Sequence, residues 1–173
     1  PDGSPRIIRV YHKEMPAYQA LENHSCPGLP KIYGCSREQD CFGVEEEWID
    51  GICIQEILEG GGTLEPQRAL AIMEEVSKTL GYLHSKGFIH RDVKAEHVML
   101  TAEGNVFLID LDAAMRIRQE KKNDTQLLGT TGYVAPEQFG LVRSDARTDI
   151  YAMGILLNTV LTGQHPTVEL YRK

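Results

Sequence analysis

The chain has 173 residues, 42% hydrophobic and 25% charged, with a formal net charge of −7. That is enough to bury a core in one or two small lobes, and the negative balance argues against bulk nucleic-acid binding. No apolar run is long enough to cross a bilayer, and the opening PDGSPRIIRV has neither the basic start nor the apolar stretch of a signal peptide. Cys26, Cys35, Cys41 and Cys53 form no Cys-x-x-Cys pair, so a zinc cage is not expected and a reduced, cytoplasmic setting is.

Residues 6–11 (RIIRVY) are rich in β-branched side chains and predict a strand. A short helix is expected over 16–24, with Pro16 in its first turn, until SCPGLP breaks it at 25–30. Strands are expected over 31–35 and 42–49, separated by a charged turn at 36–40, which makes a small α+β unit. Three glycines at 60–62 mark a loop, and Pro66 opens a helix in which Leu70, Met73, Val76, Leu80 and Leu83 recur on one face. Gly87 stands where a left-handed cap belongs.

The next stretch, HRDVKAEHVML at 90–100, reads as a polar loop entering a short strand; FLIDLD at 107–112 reads as a strand ending in carboxylates. A glycine-bearing turn at 102–105 makes 98–100 and 106–109 a hairpin. Such a hairpin makes Asp92, Lys94 and Asp110 converge. The grouping suits phosphoryl transfer: one carboxylate orients a hydroxyl, a cation steadies the moving group, and another carboxylate holds a divalent metal. The polar, basic stretch 116–131 reads as a mobile loop, followed by GTTGYVAPEQ at 129–138. Residues 148–162 are apolar nearly all round and predict a buried helix, stopped by Gly163 and Pro166, with Asp149 capping its N-terminus.

His90-Arg91-Asp92 with Lys94, then Asp110, then Ala135-Pro136-Glu137, then DIYAMG at 149–154 stand in one order. This ordered set resembles the protein kinases, most of all the eukaryotic-like serine/threonine kinases of bacteria, over residues 6–166. The resemblance implies an α+β, two-lobed fold. Residues 1–49 would be a partial, β-rich N-lobe and hinge, without the glycine-rich loop. Residues 50–173 would be a partial helical C-lobe without its last helices, carrying the catalytic loop, metal loop, activation segment and central helix.

It also implies transfer of the γ-phosphoryl group of ATP to a hydroxyl of a protein substrate. Asp92 would be the catalytic base, and Lys94 would contact the transferred phosphate, as in kinases acting on serine or threonine. Asp110 would ligate Mg2+, with Mn2+ as the alternative ion. Arg9 would face the nucleotide phosphates, Glu47 to Ile49 would offer adenine their backbone, and Met99 would floor its ring. His90 would pack the loop, and Arg91 would pair with a phosphate on Thr125, Thr130 or Thr131.

The sequence departs from the family pattern at four places. Arg9 stands where the family has lysine, and its rigid fork does not replace a point charge. The helix glutamate that should pair with it falls near Ala17, with Glu14 and Glu22 as approximate alternatives. His97 replaces the metal-binding asparagine, although imidazole suits softer ions than Mg2+. Leu111-Asp112 replaces Phe-Gly, and Asp112 is expected to supply a second metal contact. Glu46 also falls at the gatekeeper position, where a buried carboxylate needs a partner; Arg9 is the candidate. Two other readings are a pseudokinase, a scaffold or nucleotide-binding module with little turnover, and a small-molecule kinase. The APE segment, a protein-substrate feature, argues against the latter.

Overall fold

The computed structural model describes residues 3–117, Tyr133 and residues 144–165. Thr125, Thr130, Thr131 and the Ala135-Pro136-Glu137 triplet lie outside the described residues.

The first unit is a three-stranded antiparallel sheet of β1 (Arg6–Tyr11), β2 (Ile32–Glu38) and β3 (Cys41–Glu47), ordered β1-β3-β2. Strand β3 alternates strictly, so that Phe42, Val44 and Glu46 share the buried face. The expected charged turn over 36–40 shrinks to Gln39-Asp40, with Gln39 at φ 51°, because Ser36, Arg37 and Glu38 continue the pairing with β3. Helix α1 (Pro16–Leu21) takes Pro16 as its first residue and buries Ala17, Tyr18 and Leu21. It stops short of the expected residue 24: Glu22 turns extended and Asn23 adopts a left-handed φ of 60°.

Among the elements not expected from the sequence are β4 (Gly51–Cys53) and α2 (Ile54–Glu59). Both are too short to repeat a hydrophobic spacing. Helix α3 (Pro66–Ser85) is the scaffold of the second unit. Its buried stripe is Ala69, Ile72, Met73, Val76, Thr79, Leu80 and Leu83, whereas Leu70 is 59% exposed. Leu70 therefore sits beside the core face, one position off the stripe started by Ala69.

The loop before β2 lies hard against this helix. A side chain at Gly28 would place its Cβ 1.7 Å from Thr79 Oγ1. The Gly28 carbonyl also accepts the Leu108 N–H at 2.8 Å, which pins the first unit to the second.

After α3, Gly87 reverses the chain at φ 81° into β5 (Phe88–Ile89). A 3-10 turn at Ala95–His97 then leads to β6 (Val98–Thr101), which forms the expected hairpin with β7 (Val106–Leu108). Strand β4 completes that sheet in the order β4-β6-β7, and β5 pairs with β8 (Met115–Arg116).

Helix α4 (Ala146–Thr162) begins two residues earlier than expected, with Asp145 as N-cap in a reciprocal capping box with Thr148. It ends at Gly163, φ 69°. It is not buried all round: Ile150, Tyr151 and Leu161 are exposed, and the covered face is Thr148, Asp149, Ala152, Leu156, Thr159 and Val160. A continuous core joins both units, from Met15 and Phe42 through Val76 and Leu83 to Leu156. The four cysteines are free thiols. Among the described residues, no helix is long and apolar enough to cross a membrane.

Candidate active site

The catalytic loop is held from below by one carboxylate. Asp149, in the first turn of α4 and wholly buried, accepts the N–H groups of His90 at 2.9 Å and Arg91 at 2.8 Å. His84 Nε2 donates to the same group at 2.7 Å. The expected capping role of Asp149 thus belongs to Asp145, which accepts the Arg147 N–H. Asp149 instead anchors the loop in the next layer. Arg91 needs the anchor: its φ is 70°, a left-handed conformation that costs a non-glycine residue about 1–3 kcal/mol. His90 is fully buried, and burial lowers its pKa, so the imidazole stays neutral.

Above this anchor the polar side chains gather. Lys94 Nζ lies 3.1 Å from Asp92 Oδ2. The His97 ring sits between the two loops: Nδ1 donates to the Asp92 carbonyl at 2.9 Å, and Nε2 faces Asp110 Oδ2 at 3.5 Å. The hairpin register places Val98 opposite Leu108. The next step of that ladder is the Ile109 N–H bound to the His97 carbonyl at 2.8 Å. Asp110 itself is left-handed at φ 69°. Burial works against its charge, but the Asp112 N–H, bound to Oδ1 at 2.9 Å, and neighbouring His97 hold its carboxyl below the usual range. The structure therefore brings Asp92, Lys94, His97 and Asp110 together.

Asp112, expected as a second metal contact, has its carboxyl beside that of Asp110 and also reaches the first unit. Its Oδ1 accepts the Tyr11 hydroxyl at 2.5 Å and the Tyr18 hydroxyl at 3.3 Å. Tyr18 also accepts the Leu111 N–H at 3.1 Å. Burial and the adjacent Asp110 charge push the Asp112 carboxyl up. Two tyrosines already satisfy that oxygen, so Asp112 ties the metal loop to β1 and α1. Neither tyrosine was foreseen. The available signal was Tyr18, beside the Ala17 position where the family's helix glutamate falls.

Arg9 is likewise turned inward. Its Nε donates to Glu46 Oε1 at 2.5 Å, and the Glu46 side chain is only 5% exposed. Register explains the pair: Arg9 stands opposite Val44, so Glu46 is its diagonal neighbour on the same face. Burial raises the pKa of Glu46, and Arg9 offsets this in part. Glu14 pairs with Arg37, and Glu22 accepts the Cys35 N–H, so neither reaches Arg9. Arg9→Met should leave Glu46 buried without its partner and cost about 2–3 kcal/mol, at the low end for a broken pair because Arg9 is partly exposed. Urea denaturation checks this, and Arg9→Met with Glu46→Leu should recover most of the loss. A double variant no more stable than the single one would contradict it.

Of Glu47, Trp48 and Ile49, expected as a hinge, two have their N–H groups engaged. Glu47 N–H bonds to Lys31 O at 2.8 Å and Trp48 N–H to Pro5 O at 3.2 Å. Among the described residues, that leaves Ile49 as the hinge N–H available to a ligand. The Glu47 carboxylate accepts the Lys31 N–H at 3.0 Å. Met99, on β6 between the buried Val98 and Leu100, presents the opposite, half-buried face of the strand.

A family model described as the protein kinase domain matches residues 9–172. The chain belongs to the protein kinase family. This kinase domain is 35% identical over 169 residues to the serine/threonine-protein kinase PknB of Mycobacterium tuberculosis, covering 94% of the chain and 26% of that relative. It is 29% identical over 161 residues to the serine/threonine-protein kinase PrkC of Bacillus subtilis, covering 92% of the chain and 24% of that relative. A probable serine/threonine-protein kinase of Clostridium perfringens is 31% identical over 161 residues. The chain thus spans about a quarter of the length of these relatives.

Carboxylate oxygens at Asp110 and Asp112 are the donor type a divalent cation prefers. Glu46, Asp110 and Asp112 lie close enough to influence one another, with Arg9 as the cation among them. Among the described residues, no three His, Cys, Asp or Glu side chains are arranged to hold a metal by themselves. A cation here would therefore share its shell with phosphate oxygens and water.

Proposed function

We propose that the chain transfers the γ-phosphoryl group of ATP to a serine or threonine hydroxyl of a protein. The convergence of Asp92, Lys94, His97 and Asp110, joined by contacts of 3.5 Å or less, carries the reading. In this reaction the hydroxyl oxygen forms a bond to the γ-phosphorus, and the bond from that phosphorus to the β–γ bridging oxygen breaks, releasing ADP. Asp92 orients the hydroxyl and takes its proton. Lys94, 3.1 Å from Asp92, offers its charge to the moving phosphoryl group. Asp110 and His97 hold the divalent cation, Mg2+ or Mn2+, which supplies charge neutralisation at the phosphates. Of the described residues, those up to 49 form the roof of the cleft and its hinge, and those from 50 onward its floor. Ile49 N–H pairs with adenine, with Met99 beneath the ring. Four free thiols and a need for ATP suit a cytoplasmic setting.

The engaged Arg9 favours one competing reading. With Glu46 on its Nε, Arg9 keeps only its terminal NH2 groups for the phosphates, a weakened contact that a pseudokinase holding nucleotide would tolerate. Calorimetric titration of ATP into the chain, with and without divalent cation, separates the two. The enzyme reading expects binding that strengthens sharply with the cation. Binding that ignores the cation would favour the nucleotide-holding module, and no binding under either condition would remove both.

A further inference from the structure

We infer that Tyr18 is a positioning residue for Asp110: from α1, its hydroxyl fixes the peptide that follows Asp110 and so sets the direction in which that carboxylate points. The inference rests on the kinase reading of the same site and adds a residue to it.

Asp110 needs support from outside its own loop. Its φ of 69° is a left-handed conformation that a non-glycine residue keeps only where its surroundings over-determine it. The ψ of Asp110 then depends on the planar peptide joining it to Leu111. The N–H of that peptide donates to the Tyr18 hydroxyl at 3.1 Å. One residue on, the Asp112 N–H donates to Asp110 Oδ1 at 2.9 Å, while the Asp112 carboxylate accepts the same Tyr18 hydroxyl at 3.3 Å. One phenol thus holds two consecutive residues, once as acceptor and once as donor.

Tyr18 is itself firmly set. It is 0% exposed, on α1 with the buried Ala17 and Leu21. Burial pushes its phenol up, so the donated proton stays on the oxygen. Tyr11 steadies the far end from β1, donating to Asp112 Oδ1 at 2.5 Å with its ring 6.0 Å from that of Tyr18. The nearby glutamates are engaged elsewhere: Glu14 with Arg37, Glu22 with the Cys35 N–H, and Glu46 with Arg9. Helix α1 reaches the loop through Tyr18.

Tyr18→Phe removes one oxygen and leaves the ring in the core, which makes it the test. In the whole chain, kcat should fall about 10–100-fold, the usual loss when a partner that orients a metal-binding side chain is removed. The cation-dependent part of ATP affinity should weaken with it. Adenosine, which has no phosphates to meet the cation, should bind as it does to the wild type. Hydrogen exchange followed by NMR should show the Leu111 amide losing protection. Asp112→Ala should cost a similar factor, and adding Tyr18→Phe to it should cost far less than Tyr18→Phe alone, because both act on one loop.

Wild-type kcat and ATP affinity in Tyr18→Phe would overturn the assignment and leave the kinase reading standing. Losses matched by an equal loss of adenosine affinity would overturn it too, since they would mark general damage to the fold. A wild-type chain that binds ATP with the cation but transfers nothing would overturn the kinase reading, and the Tyr18→Phe affinity would then decide the positioning by itself. ATP binding indifferent to the cation in the wild type would overturn both.

Discussion

Asp149→Ala should lower the melting temperature by roughly 10 °C and loosen the catalytic loop. Two buried N–H groups, of His90 and Arg91, lose the carboxylate that accepts them at 2.9 and 2.8 Å, and His84 loses its partner. Leaving a buried donor unsatisfied costs about 1–3 kcal/mol, so the sum is about 3–5 kcal/mol, since the losses overlap. At about 2–4 °C per kcal/mol for a domain of this size, the shift follows. The left-handed Arg91 adds to the effect, because the carboxylate also holds a conformation that the residue would otherwise leave. Asp149→Asn should fall between, since its amide oxygen can still accept one N–H. A thermal melt followed by circular dichroism reads both variants. An alanine variant melting within a degree or two of the wild type would show that the loop does not depend on this carboxylate.

The second large effect is on turnover. Asp92→Asn should reduce kcat roughly 10²–10⁴-fold, the usual contribution of a positioned general base. Nucleotide affinity should stay within a few-fold of the wild type, because the Asp92 carboxylate lies against Lys94 and His97. The amide keeps the size of the side chain and can still accept from Lys94, so the loop should hold its shape. Steady-state kinetics alongside nucleotide titration separates the two quantities. A variant that retained wild-type kcat would remove Asp92 from the chemistry, whatever its position.

The fold was legible wherever a pattern repeated. The β-branched run of β1, the proline-initiated α3 and the turn joining β6 to β7 all stand close to where the residues point. The expected hairpin is present, and His97 and the Asp149 anchor complete the arrangement of Asp92, Lys94 and Asp110. What the sequence hid depends on register or on contacts between distant segments. Glu46 is buried because strand alternation puts it on the face of Phe42 and Val44, and Arg9 meets it diagonally. Suspecting the pair was possible from the gatekeeper position; its geometry was not.

Asp112 could not be placed, since nothing local says that Tyr11 and Tyr18, about a hundred positions earlier, close over it. Asp149 was misjudged for a related reason. It sits in a helix's first turn, where capping is the local expectation, but its acceptors serve a loop 58 residues away. Helix α3 shows the smaller error: starting the stripe at Leu70 instead of Ala69 put an exposed leucine on the core face.

The most direct test is transfer of labelled γ-phosphoryl from ATP by the whole chain, with Mg2+ and with Mn2+, read as acid-stable phosphoserine or phosphothreonine on protein. The account predicts transfer that requires a divalent cation and is lost in Asp92→Asn. Tight, cation-dependent nucleotide binding with no transfer to any protein hydroxyl would contradict it, and would make the cleft a holder of nucleotide.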